Sequence, residues 1–462
     1  MEQPLTYLKK RDIDDWLIGY DSQKITQIAE KLYLELIELS SLKPQPKIIL
    51  SERNPVKFLA SFIAATAANC TVFLCNPDWV KSEWQQVFDL VQPDLIWGEI
   101  PINPHSQAGA WERGNYILIP TGGSSGKIKF TIHTWSTLMA SVRGFQQYFN
   151  LEKVNSFCLL PLYHVSGLMQ FMRSFTSGGN LAIASFKALE SGEKYNIDPE
   201  DYFISLVPTQ LQRILKNPDL TVWLSRFQTV LLGGAPPGIE LLEQARKYNI
   251  RLAPTYGMTE TASQIVTLKP EYFLAGNNSC GQILPHAKVT IRSETGEILG
   301  NKQTGNITIK SESMALGYYP EIFPNRDNFP TDDLGFIDES GNLHIVGRKS
   351  NKIITGGENV FPAEVESAIL ATNLVSDVCV IGLPDNHWGQ AVTAVYVPSN
   401  LDVDFQVLQK AIEDKLTKFK RPKHWITVDS LPRNSQGKVN YEKIQEIARL
   451  WWQNQPNFPT KS

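Results

Sequence analysis

The chain has 462 residues, of which 42% are hydrophobic and 20% charged, which is ordinary for a globular protein long enough to form two or more domains. Its formal net charge is -3, from 44 basic and 47 acidic residues, so no basic excess points to nucleic acid as a partner. Its five cysteines include no CxxC pair, which predicts buried free thiols in a reducing, cytoplasmic compartment.

The most apolar long stretch is FLASFIAATAANCTVFLC, residues 58–75. A membrane span is one interpretation. However, Asn69 interrupts the stretch, which is Ala-rich before this residue and β-branched and aromatic after it. This pattern predicts a buried helix followed by a buried strand, and no membrane span.

Short apolar runs alternate with helical patterns through the first two-thirds of the chain. In the segment 134–149, Leu138, Val142 and Phe145 recur at helical spacing and predict one apolar helix face. Alternation of strands and helices predicts parallel sheets covered on both sides. The strand-like runs are 47–51, 72–76, 116–121, 156–161, 180–185, 203–208 and 229–235.

The pattern changes after about residue 280. AKVTIRS, GNITIKS and NLHIVGRK are short strands separated by turn residues, which predicts an antiparallel β portion. A new helix is predicted at 362–372 with Pro362 in its first position, then strands at 375–384 and 391–398 and a helix at 405–416. We therefore predict an α/β fold: a large domain at 1–348 with parallel or mixed sheets flanked by helices and a small antiparallel portion, then a small α+β domain at 349–462 on a hinge.

The segment ILIPTGGSSGKIKF, residues 117–130, is composed to hold an anion. Its glycines allow close approach of backbone N–H groups, and its hydroxyls and lysines add donors and positive charge. A Walker-type P-loop does not fit, because Thr121 stands where a glycine is required and Ile128 where a magnesium-binding hydroxyl is required. A mobile surface loop of the same composition remains the alternative if this segment is taken alone.

TGGSSGKIK resembles the phosphate loop of the AMP-forming acyl-adenylating superfamily, whose pattern is close to TSGTTGxPK. Gly122 and Ile128 depart from that pattern, and the residues that match it are Thr121, Gly123, Ser124, Ser125, Gly126 and Lys129. Five further segments resemble motifs of the superfamily in its order: TYGMTE (255–260), TDDLG (331–335), GRKSNKIITGGENVFPAEVE (347–366), GLPDNHWGQ (382–390) and LPRNSQGKVNY (431–441).

The resemblance implies an enzyme that uses ATP, Mg²⁺ and coenzyme A in two half-reactions. A carboxylate would attack the α-phosphate to give an acyl-adenylate and pyrophosphate, and a thiol would then displace AMP. The 121–129 loop would hold the β- and γ-phosphates, Thr259 a phosphate oxygen, and Glu260 the Mg²⁺. Tyr256 would stack on adenine, with Gly234, Ala235 and Gly257 beside the nucleotide.

The same resemblance assigns the ribose and the moving parts. Asp333 would accept hydrogen bonds from both ribose hydroxyls, with Arg348 nearby. Lys438, which without this context would be a surface turn residue, would bridge the substrate carboxylate and the α-phosphate. Ser350 would be the hinge pivot, a position often held by Asp. The Gly356-Gly357 loop would enter on the coenzyme A side for the second step.

Arg173 carries the indication of the acid substrate. It lies in an apolar helical stretch nine residues after His164, so it is either a snorkelling surface residue or a buried anion receptor. His164 alone would more often be a satisfied core histidine. With IHTW (132–135), PLYHVSGL (161–168), SLVPTQL (205–211) and LLGGAP (231–236), the sequence resembles the o-succinylbenzoate–CoA ligases of menaquinone and phylloquinone biosynthesis.

That resemblance implies that Arg173 receives the second carboxylate of the substrate, with His164, Ser205 and Thr134 as companions. Gly233, together with Gly234 and Ala235, would line a narrow slot for the flat ring. Three alternatives remain open: a ligase for another aryl or medium-chain acid, an adenylation enzyme that loads a carrier protein, and a non-catalytic nucleotide-binding or interaction protein. A homo-oligomer is left open as well.

Overall fold

The computed structural model describes residues 2–12, 14–101, 114–122, 128–385, 387–400, 403, 405–433 and 438–453. The strands in these segments are β1 (Leu17–Ile18), β2 (Lys47–Ser51), β3 (Thr71–Leu74), β4 (Leu95–Gly98), β5 (Ile117–Gly122), β6 (Ile128–His133), β7 (Asn155–Cys158), β8 (Leu181–Ile183), β9 (Tyr202–Leu206), β10 (Thr229–Leu232), β11 (Leu252–Gly257), β12 (Gln264–Thr267), β13 (Gln282–Ile283), β14 (Ala287–Arg292), β15 (Gly305–Ser311), β16 (Gly317–Tyr318), β17 (Glu321–Ile322), β18 (Phe329–Ile337), β19 (Leu343–Arg348), β20 (Ile353–Thr355), β21 (Glu358–Val360), β22 (Val375–Asp385), β23 (Gly389–Pro398) and β24 (His424–Thr427).

The helices of the same segments are α1 (Pro4–Lys10), α2 (Ser22–Leu42), α3 (Pro55–Ala67), α4 (Lys81–Leu90), α5 (Trp135–Phe149), α6 (Val165–Ser177), α7 (Phe186–Glu190), α8 (Pro208–Leu215), α9 (Pro218–Ser225), α10 (Ile239–Lys247), α11 (Pro270–Leu274), α12 (Pro362–Leu370), α13 (Phe405–Ala411) and α14 (Tyr441–Gln453). Two 3₁₀ turns occupy Pro199–Asp201 and Thr259–Thr261.

Two large mixed sheets form the first part of the chain. One has the order β1-β8-β7-β9-β10-β11-β12-β13, and the other has the order β17-β16-β6-β5-β3-β2-β4. In the first sheet the pairs from β1 to β11 are parallel and β12 and β13 are added antiparallel. The second sheet is parallel from β4 to β5 and antiparallel beyond. The predicted α/β architecture with mixed sheets is confirmed.

Two smaller sheets follow in the chain. The antiparallel sheet β14-β15-β18-β19 contains the three strands predicted after residue 280. The last sheet has the order β21-β20-β23-β22, with β24 beside β23. Its two hydrophobic clusters draw only on residues from 353 to 452. The last predicted helix, 405–416, is shorter than expected, because α13 ends at Ala411.

Three helices lie between the two large sheets. Apolar residues of α3, α5 and α6 pack in one cluster with residues of β2, β3, β5 and β8. Asn54 begins α3 by accepting a hydrogen bond from the Lys57 N–H at 3.1 Å, and Pro55 occupies its first turn. The apolar run 58–75 therefore forms a buried helix and strand, as predicted. In the described segments no helix has the length and apolarity to cross a membrane.

Helix α6 is held at both ends. His164 is the N-cap residue, and its ring accepts from the Ser166 N–H at 3.4 Å. At the other end the buried Arg11 guanidinium donates to the carbonyls of Ser174 at 2.9 Å and Gly179 at 2.7 Å. A cation at the C-terminal carbonyls also complements the helix dipole. Both anchors fix the position of every side chain that α6 carries.

The five cysteines all lie in described segments, and each is free. Four of them are buried, as predicted, whereas Cys280 is only partly buried.

Phe171→Ala should lower the free energy of unfolding by about 3–5 kcal/mol, because Phe171 is fully buried in α6 against Phe62, Phe175 and Trp16. Thermal denaturation of the purified variant measures this change. Leu34→Ala is the control, since Leu34 is 67% exposed on α2. Equal melting temperatures for the two variants would contradict the packing described for α6.

Candidate functional site

The glycine-rich segment lies in the chain between two paired strands, β5 and β6. Thr121 pairs with Lys129 and Gly122 with Ile128 in the antiparallel ladder of β5 and β6. The described residues directly after this segment form strand β6, whereas a Walker P-loop leads into a helix. Four predicted phosphate-binding residues lie outside the described residues: Gly123, Ser124, Ser125 and Gly126.

Thr259 and Glu260 form a short 3₁₀ turn directly after β11, and both are buried. His133 at the end of β6 fixes this turn, because its Nε2–H donates to the Thr259 carbonyl at 2.8 Å. Burial lowers the pKa of His133 to about 4, so the ring is neutral, with Thr137 Oγ1 3.0 Å from Nδ1. The 3₁₀ turn that carries the predicted phosphate and metal ligands is thus hydrogen-bonded to β6, the strand that follows the glycine-rich segment.

Tyr318 is a site residue that the sequence alone did not indicate. Its hydroxyl donates to Glu260 Oε1 at 2.6 Å, and the Lys129 ammonium lies 5.3 Å from its ring centroid. Burial and the Glu260 carboxylate raise the pKa of Tyr318, so it remains a donor. Tyr318 reaches the site because β16 pairs with β6, a long-range pairing with no local sequence signal.

Asp333 joins two other predicted residues. The Tyr256 hydroxyl donates to Asp333 Oδ2 at 2.8 Å, and Arg348 Nε donates to Oδ1 at 3.3 Å. Asp333 faces Arg348 across the β18–β19 ladder, which explains the second contact. A carboxylate has about four acceptor positions, so Asp333 retains capacity for ribose hydroxyls. Its bond to Tyr256 also fixes the orientation of the tyrosine ring.

Lys438, the predicted catalytic lysine, lies near Glu260 and Asp333. A good part of its side chain reaches solvent, yet desolvation by the surrounding protein lowers the pKa of its ammonium. The Arg348 guanidinium lowers that pKa further, whereas Glu260 and Asp333 raise it. These couplings place Lys438 within electrostatic range of all three groups. The structure therefore brings together the predicted Lys438, Glu260, Asp333 and Arg348 from distant parts of the chain.

The residues at this site fit Mg²⁺ bound together with a nucleotide. The described residues include no group of three or more His, Cys, Asp or Glu side chains that could hold a metal ion. Glu260 offers one buried carboxylate instead. Mg²⁺ commonly takes one or two carboxylates and completes its octahedron with phosphate oxygens and water, which matches a single acid beside a phosphate loop.

Arg173 is buried in α6, with 3% of its surface exposed, and is not a snorkelling residue. Its Nη2 donates to Ser263 Oγ and, at 2.7 Å, to Gln264 Oε1, and its guanidinium lies 4.2 Å from the centroid of Phe145. Burial lowers the pKa of Arg173 to about 9, and no acidic side chain in the described part of the chain offsets that effect. A buried cation without an acid partner is the arrangement expected of an anion receptor.

The other predicted substrate residues occupy different positions from Arg173. His164 is at the opposite end of α6, about 14 Å along the axis, and its Nδ1 lies 2.7 Å from Ser166 Oγ. Thr134 caps α5 by accepting from the Thr137 N–H at 3.3 Å, three turns before Phe145. Ser205 lies in β9. Ser205 shares a strand face with Phe203, whose ring lies 5.2 Å from that of Phe145. The described hydrogen bonds of the Arg173 guanidinium go to Ser263 and Gln264 and not to these three side chains.

The turn after β10 contains the three residues predicted to line the slot for the aromatic ring: Gly233, Gly234 and Ala235. A Cβ on Gly233 would meet Thr255 Oγ1 at 2.6 Å, and Gly234 has a φ of +86°. Ala235 and Gly257 are exposed beside it, at the ends of neighbouring strands β10 and β11. A side chain at Gly233 would collide with Thr255 of β11, and one at Gly257 would collide with the Ser263 carbonyl.

The predicted hinge follows β19. Asp332 accepts from the Ser350 N–H at 3.1 Å and from the Ser350 hydroxyl, and its carbonyl accepts from the Lys349 N–H at 2.7 Å. The Gly356-Gly357 pair turns β20 into β21, with φ of +59° and +84°, and is exposed. The hinge is thus tied to β18, next to Asp333.

Two family models match the chain. The model of the AMP-binding enzyme matches residues 103–319, and the model of the AMP-binding enzyme C-terminal domain matches residues 364–438. A 2-succinylbenzoate–CoA ligase of Listeria monocytogenes is 31% identical over 461 residues, which cover 92% of this chain and 93% of that protein.

The chain is also similar to solved structures of o-succinylbenzoate CoA synthetase. An o-succinylbenzoate CoA synthetase of Bacillus subtilis, in complex with the acyl-adenylate intermediate OSB-AMP, superposes with a TM-score of 0.80 at 25% identity, covering 96% of this chain and 98% of that one. A double mutant of that enzyme, bound to the product analogue OSB-NCoA, gives a TM-score of 0.63 at 25% identity, covering 96% and 99%.

Tyr318→Phe should raise the KM for magnesium ATP roughly three- to thirtyfold, because Glu260 loses a hydroxyl donor that holds one of its oxygens. Pyrophosphate release at saturating acid, measured against the concentration of magnesium ATP, gives this value. Tyr272→Phe is the matched control, since Tyr272 is 53% exposed. An unchanged KM in Tyr318→Phe would remove Tyr318 from the metal and phosphate site.

Proposed function

Because the chain belongs to the AMP-binding enzyme family, we propose that it joins 2-succinylbenzoate to coenzyme A at this site, with ATP cleaved to AMP and pyrophosphate. The carboxylate of the succinyl chain attacks the α-phosphate and expels pyrophosphate to give an acyl-adenylate, and the coenzyme A thiol then displaces AMP. The carboxylate on the aromatic ring does not react and is the one that Arg173 receives. This reaction belongs to menaquinone or phylloquinone biosynthesis. The observation that carries the choice of acid is the buried Arg173 without an acidic partner.

The first step brings two anions together, so positive charge must offset their repulsion. Lys438 donates to the attacking carboxylate and to the α-phosphate, and Lys129 lies at the β- and γ-phosphate end. Glu260 and Thr259 hold the nucleotide from the 3₁₀ turn, and Mg²⁺, when bound at Glu260, supplies further charge neutralisation for the phosphates. Asp333 and Tyr256 fix the ribose and the adenine.

Lys438→Ala should slow acyl-adenylate formation at least about a hundredfold, since a charged donor present in the transition state is lost. Thiolation of supplied acyl-adenylate should remain near the parent rate, because in the second step this lysine has left the site. The two half-reactions are measured separately, by pyrophosphate release and by appearance of the CoA ester. Lys443→Ala, on the exposed first turn of α14, is the control. Pyrophosphate release at the parent rate would exclude the role of Lys438.

The proximity of Lys438 to Glu260 and Asp333 supports a domain orientation that serves adenylation. The higher TM-score with the OSB-AMP complex than with the OSB-NCoA complex of the same relative agrees with this orientation. For the second step the C-terminal domain turns at Ser350, which withdraws Lys438 and brings Gly356-Gly357 to the thiol.

We place the domain boundary between residues 348 and 349. The separate hydrophobic clusters after residue 350 support this boundary, and so does the backbone pairing, which ends β19 at Arg348. We further propose that the enzyme is cytoplasmic. Five free cysteines, four of them buried, suit a compartment where thiols stay reduced.

Pyrophosphate release tests the function directly. The parent protein receives ATP, Mg²⁺ and coenzyme A with o-succinylbenzoate, benzoate or a medium-chain fatty acid. A strong preference for o-succinylbenzoate, with the matching CoA ester found by mass, is the expected result. Pyrophosphate release with another acid alone would support the proposed adenylation but would exclude o-succinylbenzoate as the substrate. Adenylation without a CoA ester would indicate a carrier protein as the acceptor.

In the same assay, Arg173→Leu should weaken the binding of o-succinylbenzoate by about 2–4 kcal/mol, because the second carboxylate loses its charged partner. Its KM should therefore rise roughly 30- to 1,000-fold. The KM for benzoate should change little. Arg213→Leu is the control, since the Arg213 guanidinium also lies over an aromatic ring, Phe186, but is largely exposed. Equal effects on both acids would remove Arg173 from substrate binding.

A further inference from the structure

Buried polar atoms without a partner gather around Arg173. Among the described residues, Arg173 Nε, Gln264 Nε2 and both ring nitrogens of His286 are buried and have no hydrogen-bond partner. The side chains are 3%, 9% and 8% exposed, respectively. Native proteins pair nearly all such groups, so several orphans in one place indicate a site completed by a ligand.

His286 reaches this place from outside the motifs already described. It immediately precedes β14, and its ring packs against α5 at Gly144, where an added Cβ would meet His286 Nδ1 at 1.8 Å. The next residue on α5, Phe145, carries the Arg173 guanidinium on its ring at 4.2 Å. Two consecutive residues of α5 therefore contact the two groups: Gly144 contacts the His286 imidazole, and Phe145 contacts the Arg173 guanidinium.

The charge state of His286 follows from its surroundings. Burial, followed by the Arg173 and Arg143 guanidinium groups, lowers the pKa of His286 to about 4, so its imidazole is neutral. A neutral imidazole carries one N–H donor and one acceptor nitrogen. With Arg173 Nε and Gln264 Nε2, the cluster presents three unpaired N–H donor groups and one cation. A carboxylate, which only accepts hydrogen bonds and carries negative charge, satisfies all of them.

We propose that His286 is a specificity-determining residue, whose neutral imidazole donates a hydrogen bond to the distal carboxylate of the acid beside Arg173, in space left by Gly144. This inference rests on the proposed function, because it names a second contact to the same substrate. A histidine retained only for packing would instead find a partner for at least one ring nitrogen, and the described residues provide none.

His286→Leu tests the hydrogen bond. The KM for o-succinylbenzoate should rise roughly ten- to hundredfold, and that for benzoate by less than about threefold, since benzoate lacks the distal carboxylate. His286→Gln, which retains a donor, should recover part of the loss. The melting temperature without substrate should stay equal or rise, because an unpaired buried polar group is removed. A lower melting temperature with equal losses for both acids would overturn the proposal in favour of a packing role.

Gly144→Ala provides an independent arm. Its new Cβ displaces the imidazole, so it should reproduce the selective rise in KM seen in His286→Leu. In the His286→Ala background the same substitution should have little further effect, which a double-mutant cycle measures. If the two substitutions had additive effects on the KM, Gly144 and His286 would not act through one contact, and the proposal would be overturned. If the parent uses o-succinylbenzoate and His286→Leu behaves like the parent, this inference fails and the proposed function stands. If the parent forms no adenylate with o-succinylbenzoate, both fail.

Discussion

A guanidinium buried between two sheets without an acid against it is the constraint on which the rest of the structure depends. Such a charge is unfavourable in a protein interior, and the hydroxyl of Ser263, the amide of Gln264 and the ring of Phe145 offset only part of the loss of water. The fold tolerates Arg173 because α6 cannot move away: apolar contacts hold it on both sides and Arg11 binds its last carbonyls. A site that is unsatisfied alone and satisfied by substrate gives up stability for selectivity, as binding sites commonly do.

Much of the fold was predictable because its determinants are local. The face formed by Leu138, Val142 and Phe145 is buried as the spacing predicts, and each of the seven strand-like runs contains a strand within a few residues. The residues that complete the site were harder to find. Tyr318 reaches Glu260, and His286 reaches Gly144, only through pairing and packing between segments far apart in the chain. Composition and spacing carry no information about such contacts, so Tyr318 and His286 resembled ordinary strand and turn residues.

The hinge is another feature that the sequence alone did not explain. Asp332 stands where the superfamily pattern TGDLG has a glycine, and Ser350 stands where the pattern often has an aspartate. Taken singly, each is an unexplained substitution. The structure joins them, because the Asp332 carboxylate accepts from both the backbone and the hydroxyl of Ser350. An acid that the pattern often has at the pivot is thus supplied here from β18, and the serine becomes its partner. The pair links the pivot to Asp333, the next residue, which holds Tyr256.

The two cations to which we assign roles, Arg173 and Lys438, differ in how they are held. Arg173 is fixed in the core, which suits the proposed recognition of the acid with the same geometry in both half-reactions. Lys438 lies on the second domain, partly open to solvent, where Arg348 disfavours its charge and Glu260 and Asp333 favour it. In the proposed reaction, phosphate oxygens add to the groups that favour the lysine charge until pyrophosphate leaves. Loss of that negative charge would weaken the hold on Lys438. Under the proposed mechanism, departure of pyrophosphate would thus favour rotation at Ser350, while Arg173 would keep the acyl group in place.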